Sequence, residues 1–185
     1  MSIKQQLVRI LLRGMKEVYM DRIISDKLYL SLLYRRVLDK KMHWDNPCTF
    51  NEKLQWLKIY NRRNEYTQMV DKIAVKKIVA EKLGEKYIIP TLGVWDDFDD
   101  IDFSILPDRF VLKCNHDSGS ICICKNKNTF DIAEARKKMR KGLKQNLYWA
   151  GREWPYKDVK PRILAEKFME DELSLIHISE PTRPY

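Results

Sequence analysis

Apolar residues recur at helical spacing through the first eighty positions of the chain, and at strand spacing beyond them. Ile3, Leu7, Ile10, Leu11 and Val18 share one stripe of a helix over 3–20, with Lys4, Arg9, Arg13 and Lys16 elsewhere on it. Leu28, Tyr29, Leu32 and Leu33 give a second helix over 25–38. Thr49-Phe50-Asn51-Glu52 is a capping box: the threonine hydroxyl accepts from the third helical amide and Glu52 reaches back to the Thr49 amide. A helix over 50–60 follows, with Leu54, Trp56, Leu57 and Tyr60 to bury. One more helix is predicted over 67–83, closed by Gly84. Short extended segments at 87–90 and 92–95 precede strands over 109–114 and 121–125. A basic helix over 132–146, an irregular aromatic stretch over 149–160 and a strand over 162–169 complete the pattern. Helices first and strands mixed with helices afterwards define an α+β or α/β class.

The 185 residues suit one ordinary domain or part of a larger one. An apolar fraction of 44% supplies a real core, which argues against global disorder. The formal charge of +9, from 35 Lys and Arg against 26 Asp and Glu, favours an anionic partner without choosing among nucleotide, nucleic acid, acidic polysaccharide and membrane surface. The basic amphipathic stripe at the N-terminus is compatible with peripheral contact to an anionic membrane, and the commoner role of such a helix is packing on its own domain. No secretory signal and no bilayer-spanning run is evident, so a cytoplasmic protein with reduced thiols is the expectation, with the inner face of the membrane as the refinement the first helix offers.

The candidate chemistry gathers at Leu106–Cys124. Lys113 sits near the end of an apolar strand, Asn115-His116-Asp117-Ser118-Gly119-Ser120 makes a small polar loop, and a second apolar strand returns. Amides of a Ser/Gly-rich turn converge on anionic oxygens and a lysine adds a point charge, which is the equipment for a triphosphate. An ordinary hairpin carries the same residues. His116 is read as a loop histidine bonded to its neighbours. Cys114, His116, Cys122 and Cys124 are all metal-capable, yet a C-x-C pair on a strand turns both thiols to one face, as a core pattern does. The aspartates at 96, 97, 99, 100 and 102 are read as solvated surface.

Six ordered blocks carry a family resemblance: T-F-N-E-K-L-Q-W-L-K from Thr49, V-D-K-I-A-V-K-K-I-V from Val70, G-E-K-Y-I-I-P-T-L-G-V-W from Gly84, L-P-D-R-F-V-L-K-C-N-H-D-S-G-S from Leu106, R-E-W-P-Y-K from Arg152 and K-P-R-I-L-A-E-K-F from Lys160. In this order they resemble the TupA-like branch of the ATP-grasp superfamily, found among bacterial surface-polysaccharide genes. The resemblance implies an N-terminal helical region over 1–46 and the first part of an ATP-grasp fold, a mixed sheet with flanking helices, over 47–172. It implies ATP held between two α+β subdomains, with Mg2+ in the parent protein, and activation of a carboxylate as an acyl phosphate for attack by an amine. Lys113 and Lys72 are the implied nucleotide-side lysines. Asp117, Ser118, Gly119 and Ser120 are the flap over the phosphates. Glu166, Lys167 and Phe168 belong to the strand passing the adenine. Each has a plainer alternative: Lys72 as an exposed helix lysine, Glu166 as a structural partner of Lys160 or Arg162.

The last thirteen residues, from Leu173 to Tyr185, depart from that pattern. L-S-L-I-H-I-S-E-P-T-R reads codon for codon as a translated transposon-end sequencing adapter, so 173–185 is set aside as non-native. On that reading the C-terminal half of the fold, with the magnesium-binding acids, is missing, no catalytic residue is assigned, and the fragment is expected not to turn over ATP. The partners expected of the parent are a nucleotide and a sugar or polysaccharide. Two rivals are a glycosyltransferase-type enzyme of the same clusters, using a nucleotide sugar and a metal on paired aspartates, and a nucleic-acid module built on Arg136, Lys137, Lys138, Arg140, Lys141 and Lys144. No nucleic-acid motif accompanies those cations, so a nucleic-acid partner is not expected.

Overall fold

The computed structural model describes residues 3–17 and 22–170. Val18 and Met20 of the first predicted helix, and all of 173–185, lie outside the described residues. The chain forms two compact units, each assembled from two stretches of sequence: Met1–Ile78 with Gln145–Lys160, and Val79–Lys144 with Pro161–Tyr185.

The regular elements among the described residues of the first unit are helices. Helices α1 (Ile3–Glu17), α2 (Asp26–Leu38), α3 (Phe50–Tyr60) and α4 (Asn64–Val70) come from its first stretch, and α5 (Ala74–Leu83) leads out of it. The capping box forms as the sequence predicts, with Glu52 N–H donating to Thr49 Oγ1 and the Glu52 carboxylate accepting from the Thr49 amide. The single helix predicted over 67–83 is two. Asp71 ends α4, its carboxylate accepts from the Ile73 amide at 2.8 Å, and its carbonyl accepts from Val75 N–H. An aspartate that offers the backbone such a local partner competes with the helical ladder, and Lys72 therefore lies in a turn between helices. The second stretch, expected to be irregular, holds α7 (Leu147–Gly151), capped by the Asn146 side chain, and a 3-10 turn at Trp154–Tyr156.

The centre of this unit is polar. Arg152 is fully buried, with its guanidinium 4.3 Å from the Tyr29 ring centre and 4.8 Å from that of Trp149. Its Nε lies 3.1 Å from the Asp26 carboxylate, which also accepts from Tyr148 Oη at 2.7 Å and from Arg62 at 2.6 Å. Burying a guanidinium costs free energy unless a carboxylate and ring faces replace its water, and Asp26 and three aromatic rings do so here.

The second unit is a four-stranded sheet with one long helix. Strands β1 (Thr91–Trp95), β2 (Phe110–Cys114), β3 (Ile121–Cys124) and β4 (Ile163–Lys167) lie in the order β1-β4-β2-β3, and all three pairings are antiparallel. The α+β class holds, and the mixed sheet implied by the resemblance is represented among the described residues by antiparallel ladders alone. Strand alternation sorts the faces. Phe110, Leu112, Cys114, Cys124, Ile163 and Ala165 form the core with Ala135 and Met139 of α6 (Ile132–Leu143), and Cys122 packs against it. The three strand cysteines are thus core residues. The opposite face carries Val111, Lys113, Ile121, Ile123, Leu164, Glu166 and Val94.

The acidic run also has structural partners. Arg140 of α6 donates to Asp99 at 2.6 Å and to Asp97 at 3.4 Å, and Arg136 lies 2.9 Å from Asp99. Two of the six cations considered for nucleic acid are therefore engaged by the aspartates expected to be solvated. Such half-exposed pairs orient the run more than they stabilise it.

Candidate functional site

Lys113 and Glu166 come together on the face of the sheet away from the core. Register explains it: Val111 faces Glu166 and Lys113 faces Leu164, so the two charged residues are diagonal neighbours across the β2–β4 ladder. Lys113 Nζ donates to Glu166 Oε2 at 2.5 Å, with the lysine side chain 25% exposed and the carboxylate 7%. Glu166 therefore pairs with Lys113, rather than standing as a partner of Lys160 or Arg162 alone. An ammonium with three donors uses one here. Around the pair the face is apolar and open in part, with Val94, Ile121 and Ile123 exposed.

The loop that follows Lys113 has a rigid base and an exposed tip. Asn115, His116 and Asp117 are buried, while Ser118 and Gly119 are exposed. The Asn115 side-chain oxygen accepts from the Arg162 amide at 2.7 Å, and the Asn115 amide donates to the Arg162 carbonyl, so the loop is tied to the entrance of β4. His116 donates from Nε2 to the Gly142 carbonyl at 3.2 Å, and its Nδ1 lies 3.2 Å from Asn115 Oδ1. Its bonds are those of a structural histidine. Ser120 Oγ donates to the Asp117 carboxylate. Gly119 stands at φ +120°, a conformation side chains resist. No backbone carbonyl among the described residues accepts from the Ser118 or Gly119 amide.

Sequence reasoning passed over Gly142. A Cβ there would lie 2.3 Å from Ser120 Oγ and 2.7 Å from Cys114 Sγ, so the last turn of α6 packs on the loop base only because that position has no side chain. The signal available in sequence was a glycine inside an otherwise good helix former run, which costs about 1 kcal/mol and calls for a packing reason.

β4 is central, with β1 on one side and β2 on the other, so its backbone is committed to the sheet, and the Lys167 amide donates to the Pro90 carbonyl at 3.0 Å. Lys167 itself is exposed, and Phe168 is half-buried with the Arg109 guanidinium 4.3 Å over its ring. The antiparallel register puts Lys113 and the loop at one end of the sheet and Lys167 and Phe168 at the other, with Glu166 between. The four-residue span between these ends is about 13 Å at strand rise. Lys72 belongs to the other unit, half-buried in the α4–α5 turn.

Each unit holds a cavity. One of about 550 Å3 lies between β3 and α6, lined by Ile121, Ile123, Lys125 and Lys138 among others, and reaches neither Lys113 nor Glu166. The other, about 500 Å3 within the first unit, is lined by Leu54, Gln55, Lys58, Tyr66, Trp154 and Tyr156 among others. Gln55 Oε1 is buried there without a hydrogen-bond partner. Burial pushes the Lys58 ammonium below the usual lysine range, against the pull of Glu153, and Lys58 donates to the Gly151 carbonyl at 2.9 Å. Among the described residues no group of three or more His, Cys, Asp or Glu could hold a metal.

The β2–β3 hairpin thus carries a glycine-bearing loop just after a strand lysine, and that lysine pairs with a strand acid on the same face of the antiparallel sheet. The family model for TupA-like ATPgrasp matches residues 52–177. The chain belongs to the TupA-like ATP-grasp family. No curated protein and no solved structure matches it.

Proposed function

We propose that the outer face of the sheet holds ATP, as the nucleotide-binding part of an ATP-dependent carboxylate–amine ligase of cell-surface polysaccharide biosynthesis. The observation that carries the reading is the convergence of Lys113 and Glu166 on one face beside the Ser118–Gly119 tip. In this assignment the tip amides and Lys113 take the phosphates, as positioned donors and a point charge do in phosphoryl transfer. Asp117 and Ser120 brace the loop, and Glu166 and the chain at Lys167 and Phe168 take ribose and base. Mg2+ arrives on the triphosphate, and no side chain here is assigned to it. In such a ligase a substrate carboxylate attacks the γ-phosphorus and releases ADP. An amine then attacks the acyl phosphate and releases phosphate.

The sugar substrate is assigned to the groove of the first unit. Trp154, Tyr156 and Tyr66 suit the apolar face of a pyranose, Gln55 Oε1 requires a donor such as a hydroxyl, and Lys58 suits a carboxylate. The glycosyltransferase reading has less support, because Asp97 and Asp99 are engaged by Arg136 and Arg140.

Calorimetric titration of the 185-residue chain with Mg–ATP is the test. Lys113→Met with Glu166→Gln removes both charges together and leaves no buried ion unpaired. That variant is expected to keep the wild-type unfolding midpoint and to lose at least about tenfold in affinity, or 1.4 kcal/mol. Unchanged affinity would remove the site from this face. For the groove, a uronic-acid disaccharide is expected to quench tryptophan emission saturably, and Trp154→Ala is expected to abolish the quench while Mg–ATP affinity stays put. Emission indifferent to the disaccharide takes the sugar out of the groove.

A further inference from the structure

Helix α1 lies outside the residues matched to the family, and its apolar stripe points away from the protein. Ile3 is 76% exposed, Leu7 62%, Ile10 68% and Leu11 49%. Among the described side chains of this helix, Val8 and Gln5, on another side, are the partly covered ones. At 100° per residue the four exposed apolar side chains span an arc of about 100°. An amphipathic helix that packs on its own domain turns that arc inward. This one contacts α2 and leaves the arc to solvent.

What suits the arc is set by charge. The sequence of α1 carries Lys4, Arg9, Arg13 and Lys16 against Glu17 alone, with no acid in its first turn. Arg13 and Arg9 are exposed and lie on the Gln6 side of the helix, about 60° and about 100° round from Ile10. An apolar strip sunk below a row of arginines matches the interface of an anionic bilayer, acyl chains beneath and headgroup phosphates above. No helix among the described residues is long and apolar enough to cross a membrane, so a bound helix lies in the plane of the surface.

We propose that α1 is a surface anchor that lays Ile3, Leu7, Ile10 and Leu11 into an anionic lipid leaflet, with Arg9 and Arg13 at the headgroups. The proposal does not depend on the nucleotide assignment.

The full 185-residue chain is floated with vesicles of phosphatidylcholine alone and of phosphatidylcholine with 30% phosphatidylglycerol. Binding is expected to the anionic vesicles, at least tenfold stronger than to the neutral ones, and to fall severalfold between 0.1 M and 0.5 M salt. Leu7→Gln with Ile10→Gln, and separately Arg9→Gln with Arg13→Gln, should each remove most of it. These positions are exposed, so unfolding midpoints should hold. Absence of binding to the anionic vesicles overturns the proposal, as does equal binding to both vesicles. So does a wild-type dimer that the Leu7 and Ile10 substitutions convert to monomer without any vesicle binding, since a second copy then covers the arc.

Discussion

Glu52 shows how much one side chain can organise. Its carboxylate accepts from the Thr49 and Cys48 amides at 2.8 and 3.1 Å and from the Thr49 hydroxyl at 2.9 Å, and it meets His43 Nδ1 at 2.8 Å. The Thr49 amide, the Thr49 hydroxyl and His43 bring its pKa from the usual 4.5 down to about 2. A carboxylate depressed on folding stabilises the fold above its unfolded value and loses that stabilisation as pH falls through its folded one. The stability difference between wild type and Glu52→Gln is therefore expected to be full above pH 4.5 and to shrink toward zero by about pH 2, in urea unfolding at stepped pH. A difference that stays constant across that window would show the carboxylate's charge to be irrelevant. This residue was legible in the sequence because all its partners but His43 lie within four positions of it. The pairing of Glu166 was not: its partner Lys113 is 53 positions away, and only the β2–β4 register brings them together.

At the scale of elements, local signals again did best. The capping box, the strand pair around the Ser-Gly loop and the Gly84 helix end are short-range patterns, and the structure has each of them. The break at Asp71 escaped because the apolar spacing over 67–83 continues through it, while the aspartate side chain competes with the ladder. Gly142 escaped for a different reason, since a missing side chain advertises nothing about what lies against it. Its replacement by alanine sets about 1 kcal/mol of helix propensity gained against a Cβ 2.3 Å from Ser120 Oγ. Overpacking of that kind costs about 1–3 kcal/mol. Both neighbours are short and anchored, so the clash wins, and Gly142→Ala is expected to destabilise by about 1 kcal/mol and to weaken Mg–ATP binding by moving the loop base. Gly14→Ala is the control, because a Cβ at Gly14 meets nothing within 4 Å. It should stabilise slightly. Equal responses from the two glycines would dismiss the contact.

For the whole molecule the decisive contacts join distant parts of the sequence. Arg152 couples the second stretch of the first unit to Asp26 and Tyr29 of the first stretch, lies beside the Tyr148 ring of its own, and has no exposed surface. Removing one member of a buried pair leaves the other uncompensated, at about 3–5 kcal/mol. Arg152→Met keeps the bulk and loses the charge, so a destabilisation of about 3 kcal/mol is expected in urea unfolding followed by tryptophan emission. Asp26→Asn in the same background should add little, since the two residues act on each other. Full additivity of the two changes would mean that the arginine is held by its rings and not by the acid. Nothing in the R-E-W-P-Y-K block announced this role, for a buried arginine is written no differently from a surface one.

The two-stretch construction of each unit also sets a timetable for synthesis. Asp26 emerges from the ribosome 122 residues before Tyr148, the group that donates to it. At ~5–20 residues per second that interval is on the order of ten seconds, during which the helices of the first stretch stand without the segment that completes their centre. The second unit waits likewise for β4, the strand that joins β1 to β2. Nascent chains halted anywhere before Gln145 hold neither unit whole, so protease resistance in arrested chains of increasing length should appear late, and in the first unit before the second.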